Sequence, residues 1–472
     1  MLFNSLTFVA FFAIVLVLWY AIEPWRPRKA MLLVASYVFY AAWNPPFILI
    51  LWLSTLVDWF VARWLYRAQR PSRRRLILLV SLIVNLGLLG YFKYGGFLVE
   101  NFGIAARAIG LDFHPARPDI VLPIGISFYT FETISYTIDV YLGRCKPFRS
   151  FLDYGLFLTF FPHLVAGPIL RPDEIVPQFE RPHRATPKAM GFGLFLLTLG
   201  LFEKTVLADS IFAPTADAIF GTLVPLGALD AWAGILAFTG QIFCDFAGYS
   251  TCAIGAAICF GFSLPDNFRF PYAAIGFSDF WRRWHISLSR WLRDYLYVPL
   301  GGNRNGAART QINLMLTMLI GGLWHGASWN FVIWGGIHGF YLLGERLVRR
   351  FGPGGPWLET APARGGLMLL TFLLTCITWV FFRAKELSGA TSLLAAAFGA
   401  GGGAAVLPTQ ELIAVGIAIV GLVAVHWRMR DRSLEDWAAG VSDNALVGLW
   451  TVMAFSIVLT QGGGDAFIYF QF

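Results

Sequence analysis

A long uncharged stretch, from Gln311 to Gly344, most tightly constrains how this chain can fold. Its 34 residues include no aspartate, glutamate, lysine or arginine, but they contain His325 and His338. An imidazole in apolar, membrane-like sequence is costly unless it has partners, so each histidine is a functional hypothesis by default. The stretch predicts a membrane segment built around at least one partnered histidine.

The length of this stretch also predicts a break within it. At 1.5 Å per residue, a helix of this length would run about 50 Å, which exceeds one membrane crossing and falls short of two. The pair Gly321-Gly322 offers the break, after which Leu323–Leu343 makes one full-length helix. His325 would then lie near freed backbone groups with which it can form hydrogen bonds.

Composition places the whole chain in the same class. Of its 472 residues 57% are hydrophobic and 14% are charged, whereas soluble domains are about a quarter charged. Many apolar runs approach the length of a membrane-spanning helix, and none shows the short alternating strands of a membrane barrel. We predict an all-α polytopic integral membrane protein with roughly 10–12 transmembrane helices plus re-entrant and interfacial helices, in a single membrane-embedded domain over residues 1–472.

The basic residues indicate topology rather than a nucleic-acid partner. The formal net charge of +8 is divided among short clusters between apolar runs, as the positive-inside rule requires of cytoplasmic loops. The first run, Leu6–Ile22, is followed rather than preceded by basic residues, so it is a retained helix and not a cleaved signal. The five cysteines are scattered without a CxxC pair, which favours small core residues over metal ligands or disulfides.

Carboxylates inside apolar runs leave two interpretations open. Glu132 and Asp139 are seven residues apart and would share a helix face, where they either line a polar interior or hydrogen-bond to neighbouring helices. Asp245 also lies within an apolar run, and Tyr249 and Ser250 could be its local partners. For Asp245 we favour this structural interpretation.

The run Phe151–Leu170 is predicted to be re-entrant. It is broken by Pro162 and by Gly167-Pro168, and basic residues flank it on both sides. If both flanks are cytoplasmic, the segment enters and leaves on one side, which membranes tolerate only where protein or water lines the backbone. A wide interior cavity would follow, with His163 as a hydrogen-bonding structural residue.

The segment Ser278–Tyr297 is predicted to form an amphipathic helix at the membrane surface. Arg282, Arg283, Arg290 and Arg293 fall within an arc of about 100° on a helical wheel, and the aromatic residues occupy the opposite arc. The aromatic side chains would lie in the acyl boundary and the arginines toward the headgroups of membrane lipids. His285 falls on the apolar side and is expected to point into the protein.

Two histidines, His285 and His325, thus stand in conspicuous surroundings. Imidazoles suit acyl transfer, because one can take a proton from a hydroxyl group as it attacks a thioester. Metal binding is a weaker rival, since the chain has no HxxxH pair and its histidines lie on separate elements; we expect no metal. Structural histidines with tryptophan neighbours are the remaining alternative.

At these residues the chain resembles the membrane-bound O-acyltransferase (MBOAT) family, and within it the bacterial branch that contains alginate O-acetyltransferases. Teichoic acid D-alanyl transferases are more distant. The resemblance is carried by motifs that occur in the family's order between residues 91 and 345, whereas residues 350–472 match less distinctively. These motifs are YFKYGGF, LPIGISFYTFETISYTIDVY, FFPHLVAGPILR, DFAGYS, FWRRWHISLSRWLRDYLYVPLGGNR and LTMLIGGLWHGASWNFVIWGGIHG, with FIYFQF at the end of the sequence.

The resemblance implies a fold and two site residues. The family's invariant histidine corresponds to His325 in LWHG, and a second position, occupied in relatives by asparagine, aspartate or histidine, corresponds to His285 in RRWHIS. The family fold is a ring of tilted helices with re-entrant pieces around a thinned centre. A tunnel there brings a cytoplasmic acyl donor and an extracytoplasmic acceptor to the histidine from opposite sides.

The expected function is therefore acetyl transfer across the bacterial inner membrane, from acetyl-CoA toward an exported polysaccharide such as alginate. His325 would act as general base or transient acyl acceptor, and His285 would orient the donor or assist proton transfer. Arg282, Arg283, Arg290 and Arg293 could meet the anionic donor, although headgroup anchoring explains them equally well. Relatives imply a periplasmic acetyltransferase partner. The alternatives are peptidoglycan O-acetylation, D-alanyl transfer to teichoic acid, and a non-catalytic transporter.

Overall fold

The computed structural model describes residues 1–116, 118–222, 224–352, 356–403 and 405–460. Within these ranges every regular element is a helix, which confirms the all-α prediction. The motif FIYFQF lies outside the described residues.

Seven helical segments in the described ranges are long and apolar enough to cross a membrane, so the protein is a multi-pass membrane protein. The predicted 10–12 crossings also counted the run Leu6–Ile22, which folds here into a shorter helix of 16 residues, Leu6–Ala21. The seven are Phe47–Arg67, Pro71–Ala108, Pro187–Gly221, Ala228–Cys259, Ala361–Arg383, Thr409–Met429 and Asp443–Thr460.

The chain forms two compact units. The single membrane-embedded domain over residues 1–472 stays a prediction. The first unit comprises residues 1–193 and 256–265. Its helices are α1 (Leu6–Ala21), α2 (Trp25–Ala41), α3 (Phe47–Arg67), α4 (Pro71–Ala108), α5 (Ile126–Tyr141), α6 (Phe151–Thr159), α7 (Pro172–Glu180) and the start of α8 (Pro187–Leu201).

Within the first unit, a buried amide joins three helices. Asn85 of α4 donates to Asp58 Oδ2 of α3 at 2.7 Å and accepts from Ser54 of α3 at 2.6 Å. Thr133 of α5 donates to the same amide oxygen at 3.3 Å. Buried polar groups in helices are stable when paired in this way, and the network fixes α5 against α3 and α4.

The segment predicted to be re-entrant is a short helix followed by buried irregular backbone. α6 has nine residues, about 14 Å of helix, which is less than half the thickness of the hydrocarbon core. Residues 160–170 are all buried. Glu132 of α5 accepts from the Leu170 N–H at 2.9 Å, and His163 Nδ1 lies 3.3 Å from the same carboxylate. The structural role predicted for His163 is confirmed, and Glu132 hydrogen-bonds to this neighbouring segment.

The second unit comprises residues 194–255 and 266–472. It is organised around a core that contains Trp284, Trp334 and Trp379. Its helices are the remainder of α8, α9 (Ala213–Gly221), most of α10 (Ala228–Cys259), α11 (Phe277–Trp281), α12 (Ile286–Leu292), α13 (Gly306–His325), α14 (Trp329–Phe351), α15 (Ala361–Arg383), α16 (Leu387–Ala397), α17 (Thr409–Met429), α18 (Leu434–Ala439) and α19 (Asp443–Thr460). Residues 202–212 and 293–297 are π-helical, and residues 271–273 and 356–359 form 3₁₀ turns.

The partner of Asp245 differs from the expectation. Lys204 lies 2.5 Å from Asp245 and 2.7 Å from Asp209, so one ammonium group serves two carboxylates. Lys204 and Asp209 lie five residues apart in the π-helical segment, where i and i+5 face the same side. Sequence proximity pointed to Tyr249 and Ser250, and it did not reveal the oppositely charged Lys204, which reaches the carboxylate from another helix.

The predicted break at Gly321-Gly322 is wrong. α13 continues through both glycines to His325, and the chain turns at residues 326–328 before α14 begins. The glycines serve close packing. A Cβ added at Gly322 would lie 2.2 Å from the Phe331 carbonyl oxygen, and one at Gly335 would lie 2.3 Å from that of Met318. Small residues of this kind let membrane helices approach backbone to backbone.

Gly322→Ala is therefore expected to destabilise the protein by about 1–3 kcal/mol, because the new methyl group has no space between α13 and α14. Thermal unfolding in detergent, followed by tryptophan fluorescence, measures the effect. Gly344→Ala on α14 is the matched control, since nothing lies within 4 Å of its added Cβ and alanine favours helix. Equal melting temperatures for both variants would refute the close-packing account.

Candidate active site

His325 ends α13 inside a wall of aromatic rings. Its side chain is buried, and its ring centroid lies 5.0 Å from that of Trp334, 5.1 Å from Trp324 and 5.3 Å from Phe382. The helix stops because Gly326 is extended, and an added Cβ there would lie 2.0 Å from the Phe331 ring. The turn thus holds the imidazole where α13, α14 and α15 meet.

His285 lies in a tight turn rather than in a continuous helix. The predicted surface helix Ser278–Tyr297 is broken into α11, a turn, α12 and a π-helical segment. His285 precedes α12 with φ +42° and ψ +57°, in the left-handed region that non-glycine residues seldom adopt. Strained residues of this kind cluster at functional sites. The prediction that His285 points into the protein is confirmed, because its side chain is fully buried.

The break changes the surroundings of the aromatic residues. Phe280 and Trp284 are 1% and 0% exposed, so they lie in the protein core. The prediction that these aromatic residues lie in the acyl boundary of the membrane is therefore wrong. Trp284 contacts the Trp379 ring at 4.8 Å. A helical wheel assumes one unbroken helix, but this segment is interrupted at residues 282–285, so the wheel does not describe the surroundings of these side chains.

The structure brings the two candidate histidines together. The ring centroids of His285 and His325 lie 6.3 Å apart, although the residues are separated by 40 positions in the chain. Burial lowers the pKa of His285 to about 3, so this imidazole is neutral near pH 7. His285 Nδ1 lies 3.1 Å from the side-chain oxygen of Asn267. With this neutral imidazole beside it, His325 is placed to accept a proton and pass it on.

His338 occupies a structural position next to this pair. Its Nε2 donates to the Thr378 hydroxyl oxygen at 3.0 Å, while that hydroxyl donates to the Thr375 carbonyl at 2.7 Å. Its ring stacks on Phe280 with centroids 5.7 Å apart. Trp334 lies between the two sites and contacts the rings of both His338 and His325.

The four arginines proposed to meet the donor are in different environments. Arg282 and Arg293 have exposed side chains, and Arg293 donates to Asp294 at 2.7 Å. Arg290 is partly buried. Arg283 is buried, and its guanidinium binds Asp279 at 3.0 Å and the Arg430 carbonyl at 2.7 Å. Its contacts are therefore internal to the protein.

Three contacting residues were not identified from the sequence. Asn267 bonds His285, and Trp334 and Phe382 pack on His325. They come from different elements, and no spacing in the sequence links them to either histidine. Among the described residues, no three His, Cys, Asp or Glu side chains are grouped closely enough to hold a metal ion.

Comparison with known proteins identifies relatives over most of the chain. A model of the membrane-bound O-acyltransferase family matches residues 148–378. The chain is 42% identical over 405 residues to the probable alginate O-acetylase AlgI of Azotobacter vinelandii, an alignment that covers 85% of this chain and 79% of that protein. The Pseudomonas aeruginosa protein of the same name is 42% identical over 407 residues, covering 85% and 75%. A peptidoglycan O-acetyltransferase of Helicobacter pylori is 38% identical over 413 residues, covering 81% and 76%.

Asp279 binds Arg283, two residues before His285, and Arg430. Because these bonds need an ionised carboxylate, they predict how the stability of the protein changes with pH. Burial opposes ionisation of Asp279, but the Ile275 N–H and the guanidinium groups of Arg283 and Arg430 outweigh it and hold the pKa of the carboxyl below its ordinary 3.8. A carboxylate of lowered pKa stabilises the fold above its unfolded pKa, and that stability is lost as the pH falls through the folded value.

Asp279→Asn should therefore lower the free energy of unfolding at pH 7 by about 3 kcal/mol, because two arginines lose their charge partner. The loss is measured as a lower melting temperature in detergent. The difference from wild type should shrink as the pH falls below about 4. Asp431→Asn, at a carboxylate whose side chain is 73% exposed, serves as the control and should change little. A difference that grows toward acid pH would contradict this assignment.

Proposed function

This chain belongs to the membrane-bound O-acyltransferase family and is a multi-pass O-acetyltransferase, and from this premise we propose its reaction. It takes an acetyl group from acetyl-CoA on the cytoplasmic side of the inner membrane and passes it across the bilayer for O-acetylation of an exported polysaccharide such as alginate. The observation that carries the proposal is the pair of buried imidazoles, His285 and His325, with ring centroids 6.3 Å apart. The names of the relatives support the acetyl group and the polymer acceptor.

In the proposed reaction, His325 is the general base. It takes the proton of a hydroxyl group while the hydroxyl oxygen attacks the thioester carbonyl. The carbon–sulfur bond breaks, the proton passes to the departing thiolate, and the products are an O-acetyl ester and a free thiol. His285 assists this proton transfer. The aromatic rings of Trp334 and Phe382 beside His325 exclude water, which would otherwise hydrolyse the thioester.

The basic clusters between the apolar runs support a cytoplasmic donor. By the positive-inside rule the loops with Arg67–Arg75 and Arg428–Arg432 face the cytoplasm, where acetyl-CoA is made available. Of the four arginines proposed for the donor, Arg282 and Arg293 have exposed side chains, and we propose that these two bind its phosphate groups. We propose that a periplasmic acetyltransferase partner completes delivery, and that residues 350–472 determine which partner or polymer is used.

A related acceptor, peptidoglycan, is the second candidate, because one relative at 38% identity is named a peptidoglycan O-acetyltransferase. The two candidates share the same site chemistry and differ in product. Acetyl-ester analysis of exopolysaccharide and of peptidoglycan from cells with and without the protein separates them. Esters lost from the exopolysaccharide alone support the first proposal, and esters lost from peptidoglycan alone overturn it.

His325→Ala should reduce acetyl esters in the polymer at least a hundredfold, since removal of a general base costs about 10²–10⁴ in rate. Ester content of the purified polymer and the amount of protein in the membrane are measured together. His114→Ala is the matched control, because the His114 side chain is 70% exposed. Normal acetylation by His325→Ala, at normal protein levels, would overturn the catalytic assignment.

Arg282→Gln should raise the apparent KM for acetyl-CoA about threefold with kcat unchanged, as expected for one exposed charge that binds an anionic substrate. The assay is acetyl-CoA consumption by protein reconstituted in liposomes. Arg309→Gln removes another exposed arginine and should leave KM unaltered. The same KM in both variants would assign Arg282 to headgroup anchoring instead.

A further inference from the structure

We propose that Asn267 is a positioning residue that fixes the tautomer of His285, with the ring proton on Nδ1 and the lone pair on Nε2. The tautomer itself follows from hydrogen bonds of the folded protein. Its catalytic consequence rests on the acyl transfer proposed above.

The orientation of the Asn267 amide is set by the backbone N–H of Ser287, a group that can only donate. Asn267 is 1% exposed, and its side-chain oxygen receives the backbone N–H of Ser287 at 3.3 Å and the Ser287 hydroxyl at 2.9 Å. A backbone N–H has no acceptor capacity, so the amide atom that faces it must be oxygen. The other end of the amide, Nδ2, donates to the Ser250 hydroxyl at 3.1 Å.

The protonation of His285 follows from that orientation. His285 Nδ1 lies 3.1 Å from the same Asn267 oxygen, which can only accept. Nδ1 therefore donates, and in a neutral imidazole the other nitrogen, Nε2, then carries the lone pair. The choice between the two tautomers is made by a residue 18 positions earlier in the chain.

Asn267 also holds the backbone of the turn. Its carbonyl oxygen accepts the N–H of Ile286 at 2.9 Å, directly after the left-handed His285. The same residue thus binds both the strained backbone and the ring it carries. Such partners orient a functional imidazole in the way that second-layer groups orient metal-bound histidines.

The fixed tautomer gives His285 a defined part in the reaction. When His325 takes the hydroxyl proton, a cation forms in a buried site, where charge is costly unless it is compensated. A neutral His285 that presents a lone pair at Nε2 stabilises that cation, whereas one that presented an N–H there would oppose it. His285 then remains neutral throughout, while the proton moves from His325 to the leaving thiolate.

The test is ¹⁵N NMR of full-length protein labelled at histidine, with the His285 signals assigned from a His285→Gln sample. The wild-type spectrum should show His285 protonated at Nδ1 and bare at Nε2. A wild-type His285 protonated at Nε2 would overturn the proposal regardless of any variant's behaviour. This readout needs no activity, so it stands even if the proposed acetyl transfer fails.

Two variants then test the role in catalysis. Asn267→Leu removes the acceptor and should lower kcat about a hundredfold with little change in KM, and should lose the Nδ1–H signature. Asn267→Asp keeps an acceptor oxygen, so it should keep the signature, recover most of kcat, and shift the pH–rate profile because a carboxylate raises the pKa of His285. Full kcat in Asn267→Leu would overturn the positioning role. The positioning role would also be overturned if both variants lost the same fraction of kcat while Asn267→Asp kept the Nδ1–H signature.

Discussion

The backbone contact between α13 and α14 is the constraint on which the site depends. Gly322 and Gly335 have no side chains, so the two helices approach until an added Cβ would lie 2.2–2.3 Å from a carbonyl oxygen of the facing helix. This approach places His325, at the end of α13, 5.0 Å from the Trp334 ring of α14. The environment of the imidazole therefore depends on the two glycines as well as on the aromatic rings that contact it.

Buried polar groups in this protein serve two purposes that their partners distinguish. Glu132 accepts a hydrogen bond from the irregular segment that follows α6 and holds it against α5. His338 of α14 bonds to Thr378 of α15 and holds these two helices together. Lys204 compensates two carboxylates. The pair His285 and His325 differs, because two groups suited to proton transfer are held side by side within an aromatic wall. The free-energy cost of burying a polar group does not by itself distinguish a structural role from a catalytic one. The identity of the neighbouring groups does.

The sequence predicts the helical class, the long apolar segments and the two histidines, because hydropathy and residue type are local properties. It mispredicts the break at Gly321-Gly322, since glycine permits both a break and close packing, and only the facing helix decides between them. It also treats Ser278–Tyr297 as one helix, because a helical wheel carries no signal for the left-handed turn at His285. Asn267 is missed for a similar reason: its contact is formed by tertiary structure.

The central claim is that His285 and His325 act as one catalytic site, and a double-mutant cycle tests it most directly. The rates of acetyl transfer by His285→Ala, His325→Ala and the double variant are compared at equal amounts of folded protein. Residues that act as a unit are strongly non-additive, so the double variant should be about as impaired as the more impaired single variant. Losses that multiply in the double variant would show two independent residues and contradict the account.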